Sequence, residues 1–221
     1  MKPKLLPLPV ILLLLLASCN SAKDKEATIP AADDKIAIIQ HPVADYDRWR
    51  PIFDADDAAR VSYGITTRGV GRGIDNSNDV LMFFKVEDTA KANACMNRPE
   101  MKPLMDSAGV IGQPSLVYVN TVRNDTSTTD IKDRLLISHK VKDFDAWLKV
   151  YDREGMEKRK SFGIVDRALA RGMDDPNMVY ILFAISDWEK AKARMGSEEL
   201  KKILEDAGVE GAPSSIAYKL Q

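Results

Sequence analysis

His41-Pro42-Val43-Ala44-Asp45-Tyr46-Asp47-Arg48-Trp49 returns 98 residues later as His139-Lys140-Val141-Lys142-Asp143-Phe144-Asp145-Ala146-Trp147. His41 and His139 are the only 2 histidines in the 221-residue chain, so whatever explains one must serve for the other. Working outward, the match continues with a single-residue shift near Arg60, after which the separation is 99, as between Gly73 and Gly172. Roughly 30 of about 80 paired positions are identical, and two copies of so long a unit indicate duplication of a whole domain rather than a solenoid.

Each copy reads strand, helix, strand, strand, helix, strand. Ile36 to Ile39 is a short apolar run ended by the His41-Pro42 turn. Asp45 and Asp143 stand where a helix N-cap is wanted, with Asp47 and Asp145 in the first turn to complement the dipole. Trp49, Ile52 and Phe53 follow at helical spacing. The period then drops to two: Thr66, Arg68, Val70 and Arg72 share one face of a strand, and the small Thr67, Gly69 and Gly71 share the other, where a helix would approach closely. Arg167, Leu169 and Arg171 repeat the first face. Turns at Asp75-Asn78 and Asp174-Asn177 make hairpins with Val80-Phe84 and Val179-Phe183. Helices over 88–96 and 100–107, and their copies, end at Gly109 and Gly208 before a last strand after Pro114 or Pro213. The repeats are read as 35–119 and 134–221, joined by a Thr-, Asp- and Asn-rich linker over 120–133.

The N-terminus reads as an export signal over 1–18: Lys2 and Lys4, then an apolar run from Leu5 to Leu16, then Ala17 and Ser18. That run falls short of the about 20 residues that span a bilayer. Leu16-Ala17-Ser18-Cys19 resembles the lipobox of bacterial lipoproteins, which implies an acylated Cys19 holding the protein to a lipid bilayer of the cell envelope, at the outer membrane or the periplasmic face. The competing reading is an ordinary signal peptide with an incidental cysteine. Residues 19–34 suit a tether. Cys95 is then left alone, with no disulfide partner. Because Arg194 occupies its place in the second copy, its side chain is expected to tolerate exposure and to lack a nucleophilic role. A net charge of −1 gives no electrostatic case for nucleic acid.

The order of elements, the length of each copy and the His/Val/Asp/aromatic/Asp/Trp opening together resemble the dimeric α+β barrel superfamily of ferredoxin-like domains, which includes antibiotic-biosynthesis monooxygenase-like proteins. The resemblance implies an α+β fold in which two βαββαβ repeats pack sheet to sheet, here within one polypeptide. It does not imply one activity, because this superfamily holds monooxygenases, isomerases, haem enzymes and ligand binders. Its haem branches carry their ligating histidine on a late helix, whereas His41 and His139 end the first strands.

Arg68, Arg72, Arg167 and Arg171 are costly to bury without an anion, so four guanidinium groups on barrel-lining faces would suit a small anionic molecule. Internal pairing with Asp75, Asp174, Asp54 or Asp152 is the alternative. His41 and His139 are candidate proton carriers, or else locks on the turn between first strand and first helix. Trp49 and Trp147 are core residues that also border any ligand site. One histidine per half makes a poor metal set, and the sequence names no cofactor. The expectation is a small-molecule-binding envelope lipoprotein. A cofactor-independent monooxygenase or isomerase, and a structural or partner-binding protein, remain the alternatives.

Overall fold

The structure is a computed structural model that describes residues 32–221, so the signal, the lipobox and most of the tether lie outside the described residues. The first copy comprises β1 (Lys35–Pro42), α1 (Tyr46–Ala55), α2 (Asp57–Ser62), β2 (Ile65–Gly73), β3 (Asp79–Val86), α3 (Thr89–Met96), α4 (Met101–Ala108) and β4 (Ser115–Asn124). The second comprises β5 (Asp133–Val141), α5 (Phe144–Glu154), α6 (Met156–Ser161), β6 (Ile164–Gly172), β7 (Met178–Ile185), α7 (Trp188–Met195), α8 (Glu198–Asp206) and β8 (Val209–Leu220). The Asp45 carboxylate accepts from the backbone N–H groups of Asp47 and Arg48, and Asp143 accepts from Ala146. These are the expected N-caps. Where the sequence predicts one helix the chain forms two, turning at Asp56 and at Gly155. Gly155, at φ 80°, is the extra residue that moves the separation of the copies from 98 to 99.

The eight strands close into one barrel in the order β1-β3-β2-β8-β5-β7-β6-β4. Each copy supplies four strands, and antiparallel seams of β2 with β8 and β4 with β6 join the copies. A lone sheet of this kind has helices on one face only, and closure against the second copy covers the other. β4 runs to Asn124, into the stretch whose composition suggests a linker, because residues between Asn120 and Asn124 pair with β6.

Alternation along each strand sorts the side chains into helix-facing and barrel-facing sets. Trp49, Val70, Met82 and Phe84 belong to a core under the first copy's helices, and Leu135, Trp147, Leu169 and Phe183 to its counterpart. Ile38, Leu81, Val119, Leu136, Ala170 and Tyr218 fill the barrel interior. A β-bulge interrupts the alternation between Thr67 and Gly69, and another between Asp166 and Ala168. Arg68 and Arg167 are the inserted residues, and past each one the faces exchange. The sequence expectation that Arg68 and Arg72 share a face is therefore overturned, as is that for Arg167 and Arg171.

The same exchange places Gly69 and Gly71 inside the barrel rather than against a helix. A Cβ at Gly71 would lie 2.1 Å from Cδ2 of the Tyr218 ring. At the other seam the matching residues are Ala170 and Val119, where a smaller side chain makes room for the methyl group. Gly71→Ala is expected to lower stability by about 1–3 kcal/mol through overpacking. Adding Tyr218→Val should restore most of the loss by recreating the other seam, and urea unfolding of both variants checks this.

Candidate functional site

Each copy holds a cavity between its sheet and its helices. The first, about 360 Å³, is floored by Ala37, Ile39 and His41 of β1 and walled by Trp49, Phe53, Asn93 and Met105. The second, about 310 Å³, is floored by Leu135, Ile137 and His139 of β5 and walled by Trp147, Tyr151, Glu154 and Leu204. Both volumes lie at the lower end of the range for small-molecule sites.

The two histidines are thus brought into equivalent cavities rather than into one site. Each ring meets a tryptophan edge-on: His41 with Trp49 at 5.9 Å between centroids, His139 with Trp147 at 5.5 Å. Trp49 in turn stacks on Phe53 at 4.7 Å, and Trp147 on Tyr151 at 5.1 Å. His41 Nδ1 is 3.3 Å from the Pro42 carbonyl, whereas neither ring nitrogen of His139 has a partner among the described residues. Burial lowers the basicity of both, opposed in His41 by that carbonyl, and takes His139 down to about 4. Both rings are neutral at pH 7. His139 makes no bond to the strand-to-helix turn, and His41 adds only its Pro42 contact to the ties there. The turns are tied by Asn78, whose Oδ1 accepts from the Tyr46 N–H and whose Nδ2 donates to the Ala44 carbonyl, and by Asn177 likewise with Phe144 and Lys142.

The polar rims differ. In the second copy Arg159 donates to both oxygens of Asp166, at 2.8 and 2.6 Å, and the Tyr151 hydroxyl donates to the same carboxylate at 2.8 Å. Glu154 accepts from Arg159 at 3.3 Å and from Arg194 at 2.6 Å. Burial and the Asp166 charge raise the Tyr151 phenol well above its usual range. In the first copy the network is thinner: Phe53 and Thr67 replace Tyr151 and Asp166, and Arg60 stacks on Phe53 at 4.0 Å and pairs with Asp57 at 3.1 Å. Arg98 bonds Asp56 and reaches Cys95 Sγ at 2.9 Å. Cys95 is buried, contrary to the expectation drawn from Arg194, because Arg194 is itself buried in its ion pairs. Burial raises the Cys95 thiol above its ordinary value.

Of the four arginines singled out by sequence, Arg72 and Arg171 stay on the helix side. Arg72 lies 3.9 Å over the Tyr46 ring and donates to the Ser77 carbonyl, and Arg171 lies 4.1 Å over Phe144 and donates to the Pro176 carbonyl. Both pin a hairpin turn to a helix start, and neither meets the other two arginines. Arg68 and Arg167 do share a space, a third cavity of about 350 Å³ inside the barrel. Arg167 pairs with Asp125 at 2.6 Å, not with the aspartates proposed from the sequence. Arg134 borders the same cavity and was missed, since its counterpart in the first copy is Ile36. Asn78/Asn177 and Arg60/Arg159 could have been found, because they recur in register. Among the described residues no three His, Cys, Asp or Glu side chains converge to hold a metal ion.

No protein-family model matches the chain, and no curated protein matches it. Solved structures do. An anthrone oxidase-like protein superposes with a TM-score of 0.58 at 12% identity, covering 88% of this chain and 94% of that one. A haem-binding protein from Thermus thermophilus gives 0.52 at 11%, covering 88% and 94%. A protein from Lactobacillus acidophilus, provisionally assigned as a monooxygenase, gives 0.53 at 16%, covering 85% and 94%. The chain folds as a duplicated ferredoxin-like α+β barrel. Within this duplicated α+β barrel, the two histidine cavities each belong to one repeat, whereas the arginine cavity is built by both.

Proposed function

We propose that this duplicated α+β barrel binds a small, largely apolar molecule carrying one hydrogen-bonding group in the first repeat's helix-covered cavity, with His41 as the polar contact. The observation that carries this reading is a neutral, buried imidazole on the floor of a cavity whose lining is mostly apolar and aromatic, with Asp56, Arg60 and Asn93 among its polar residues. The second repeat's cavity is rimmed by a closed set of ion pairs, which suits a structural role there.

A second reading makes the same site catalytic, a cofactor-independent oxidase or isomerase with His41 as proton acceptor. It is favoured by the likeness to the anthrone oxidase-like protein and by the neutral state of His41, the form that accepts a proton. Haem fits poorly. The only 2 histidines end strands and face tryptophan edges, and none stands on a helix from which it could ligate iron. Anthrone under air separates the readings. A binder raises its melting temperature with anthrone left intact. An enzyme consumes oxygen and yields anthraquinone and water, at a rate that His41→Ala lowers by about 10²-fold or more while the fold survives. Absence of both effects overturns the site.

The envelope location is part of the proposal and rests on the sequence of residues 1–19. Mass analysis of the mature protein is expected to find an N-terminal peptide that begins at an acylated Cys19. An unmodified Cys19 within the mature chain would remove the anchor.

A further inference from the structure

The barrel interior holds an excess of positive charge that the helix-covered sites do not explain. Arg134 on β5 is buried, with a relative exposure of 5%. One of its guanidinium nitrogens donates to the carbonyls of Ile131 and Asp133, and the remaining two have no hydrogen bond to a described residue. No carboxylate among the described residues forms an ion pair with it. Burial works against its charge, and neighbouring Arg167 adds to this while Tyr218 and Asp133 oppose it. Arg68, on the opposite repeat, borders the same cavity and has neither an ion pair nor a hydrogen bond among the described residues. Arg167 is the third cation there. The carboxylates at hand are Asp125, taken by Arg167, Asp34, paired with Lys85 at 2.6 Å, and Asp133, which accepts from Trp188 Nε1 at 2.7 Å and forms no ion pair with Arg134. Arg134 and Arg68 are therefore left without an ion-pair partner among the described residues beside a cavity of about 350 Å³, a size suited to a small ligand.

Beyond the arginines the wall is mixed: Ile38, Phe83, Val119, Leu136 and Leu182, with the Tyr218 ring against Gly71, are its apolar part, and Asp34, Thr121, Asn124 and Asp125 its polar part. The two β-bulges leave Arg68 and Arg167 toward this cavity while returning Arg72 and Arg171 to the helix side.

We infer that the barrel interior is a second ligand site, for an amphiphile whose anionic head, a carboxylate or phosphate ester, is held by Arg134 and Arg68 while its hydrocarbon body lies along the apolar part of the wall. A planar carboxylate matches the two-pronged donor geometry of a guanidinium group. The site is independent of the His41 cavity, from which it is separated by the β-sheet.

Isothermal titration at low salt tests the inference with octanoate, octyl phosphate and 1-octanol. Wild type is expected to bind at least one of the two anions tenfold or more tighter than octanol, and the tighter of the two identifies the head group. Arg68→Ala, a change at an exposed side chain, should weaken the anion at least fivefold and leave octanol unchanged. Arg134→Met should abolish preference for the anion while keeping or raising the melting temperature, since it removes a buried charge. Equal affinity for octanol and the anions, no binding of either anion at millimolar concentration, or unchanged anion affinity in both variants each overturns the site.

Discussion

Asp166→Ala is expected to destabilise the protein by about 3–5 kcal/mol, the range for breaking a buried ion pair from one side. Asp166 and Arg159 are both buried, and the carboxylate accepts two hydrogen bonds from Arg159 and one from the Tyr151 hydroxyl. Removing it leaves the guanidinium group with Glu154 as its one carboxylate and the Tyr151 carbonyl as a further acceptor, and a buried phenol without its acceptor. The first repeat shows how the same position can be furnished differently: Thr67 stands for Asp166, Phe53 for Tyr151, and Arg60 turns to Asp57. The combination Asp166→Thr, Tyr151→Phe and Met156→Asp transplants that arrangement and should recover more than half of the loss. Urea unfolding measures all three proteins. A loss below about 1 kcal/mol for Asp166→Ala would show that the network adds little beyond its packing.

The second large effect is on acid stability. Burial holds His139 at about 4 in the fold, against an ordinary value of 6.5. A group whose native basicity is depressed binds its proton more readily when unfolded. Its contribution is therefore present in full above about pH 6.5 and is lost as the pH falls toward 4, amounting to roughly 3 kcal/mol in all. His139→Leu removes this contribution without creating a void, so the variant should lose less stability than wild type between pH 7.5 and pH 4. Carboxylates titrate in both proteins, and the difference between the two unfolding curves isolates the imidazole. Parallel pH dependences would mean that the ring reaches water or a partner and is not isolated by burial.

The architecture was legible in the sequence because the chain states it twice. Trp49/Trp147, the caps at Asp45 and Asp143 and the glycines at 109 and 208 each confirm the other, and a helix start or end seen in two copies at one spacing is hard to mistake. The arginine faces were not legible. Strict alternation put Arg68 beside Arg72, yet Ile65 and Val70 are both helix-side core residues five apart, as are Ile164 and Leu169. An odd spacing between two core positions on one strand requires an inserted residue, and that was the available signal. Arg134 gave none, since the duplication offers Ile36 in its place and its burial depends on strands of both copies. The histidines were correctly placed at strand ends, but the cavities they floor exist only once the helices pack over the sheet, and the neighbouring turns are tied by Asn78 and Asn177.

Tyr218 against Gly71 at one seam, and Val119 against Ala170 at the other, show what covalent linkage permits. In a symmetric homodimer both junctions are built from one set of residues, so every change is made at two places at once and must suit its own mirror image. Tandem fusion abolishes that constraint. One junction can admit an aromatic ring while its twin stays aliphatic, and a single arginine can enter the shared interior without a second copy of its charge facing it.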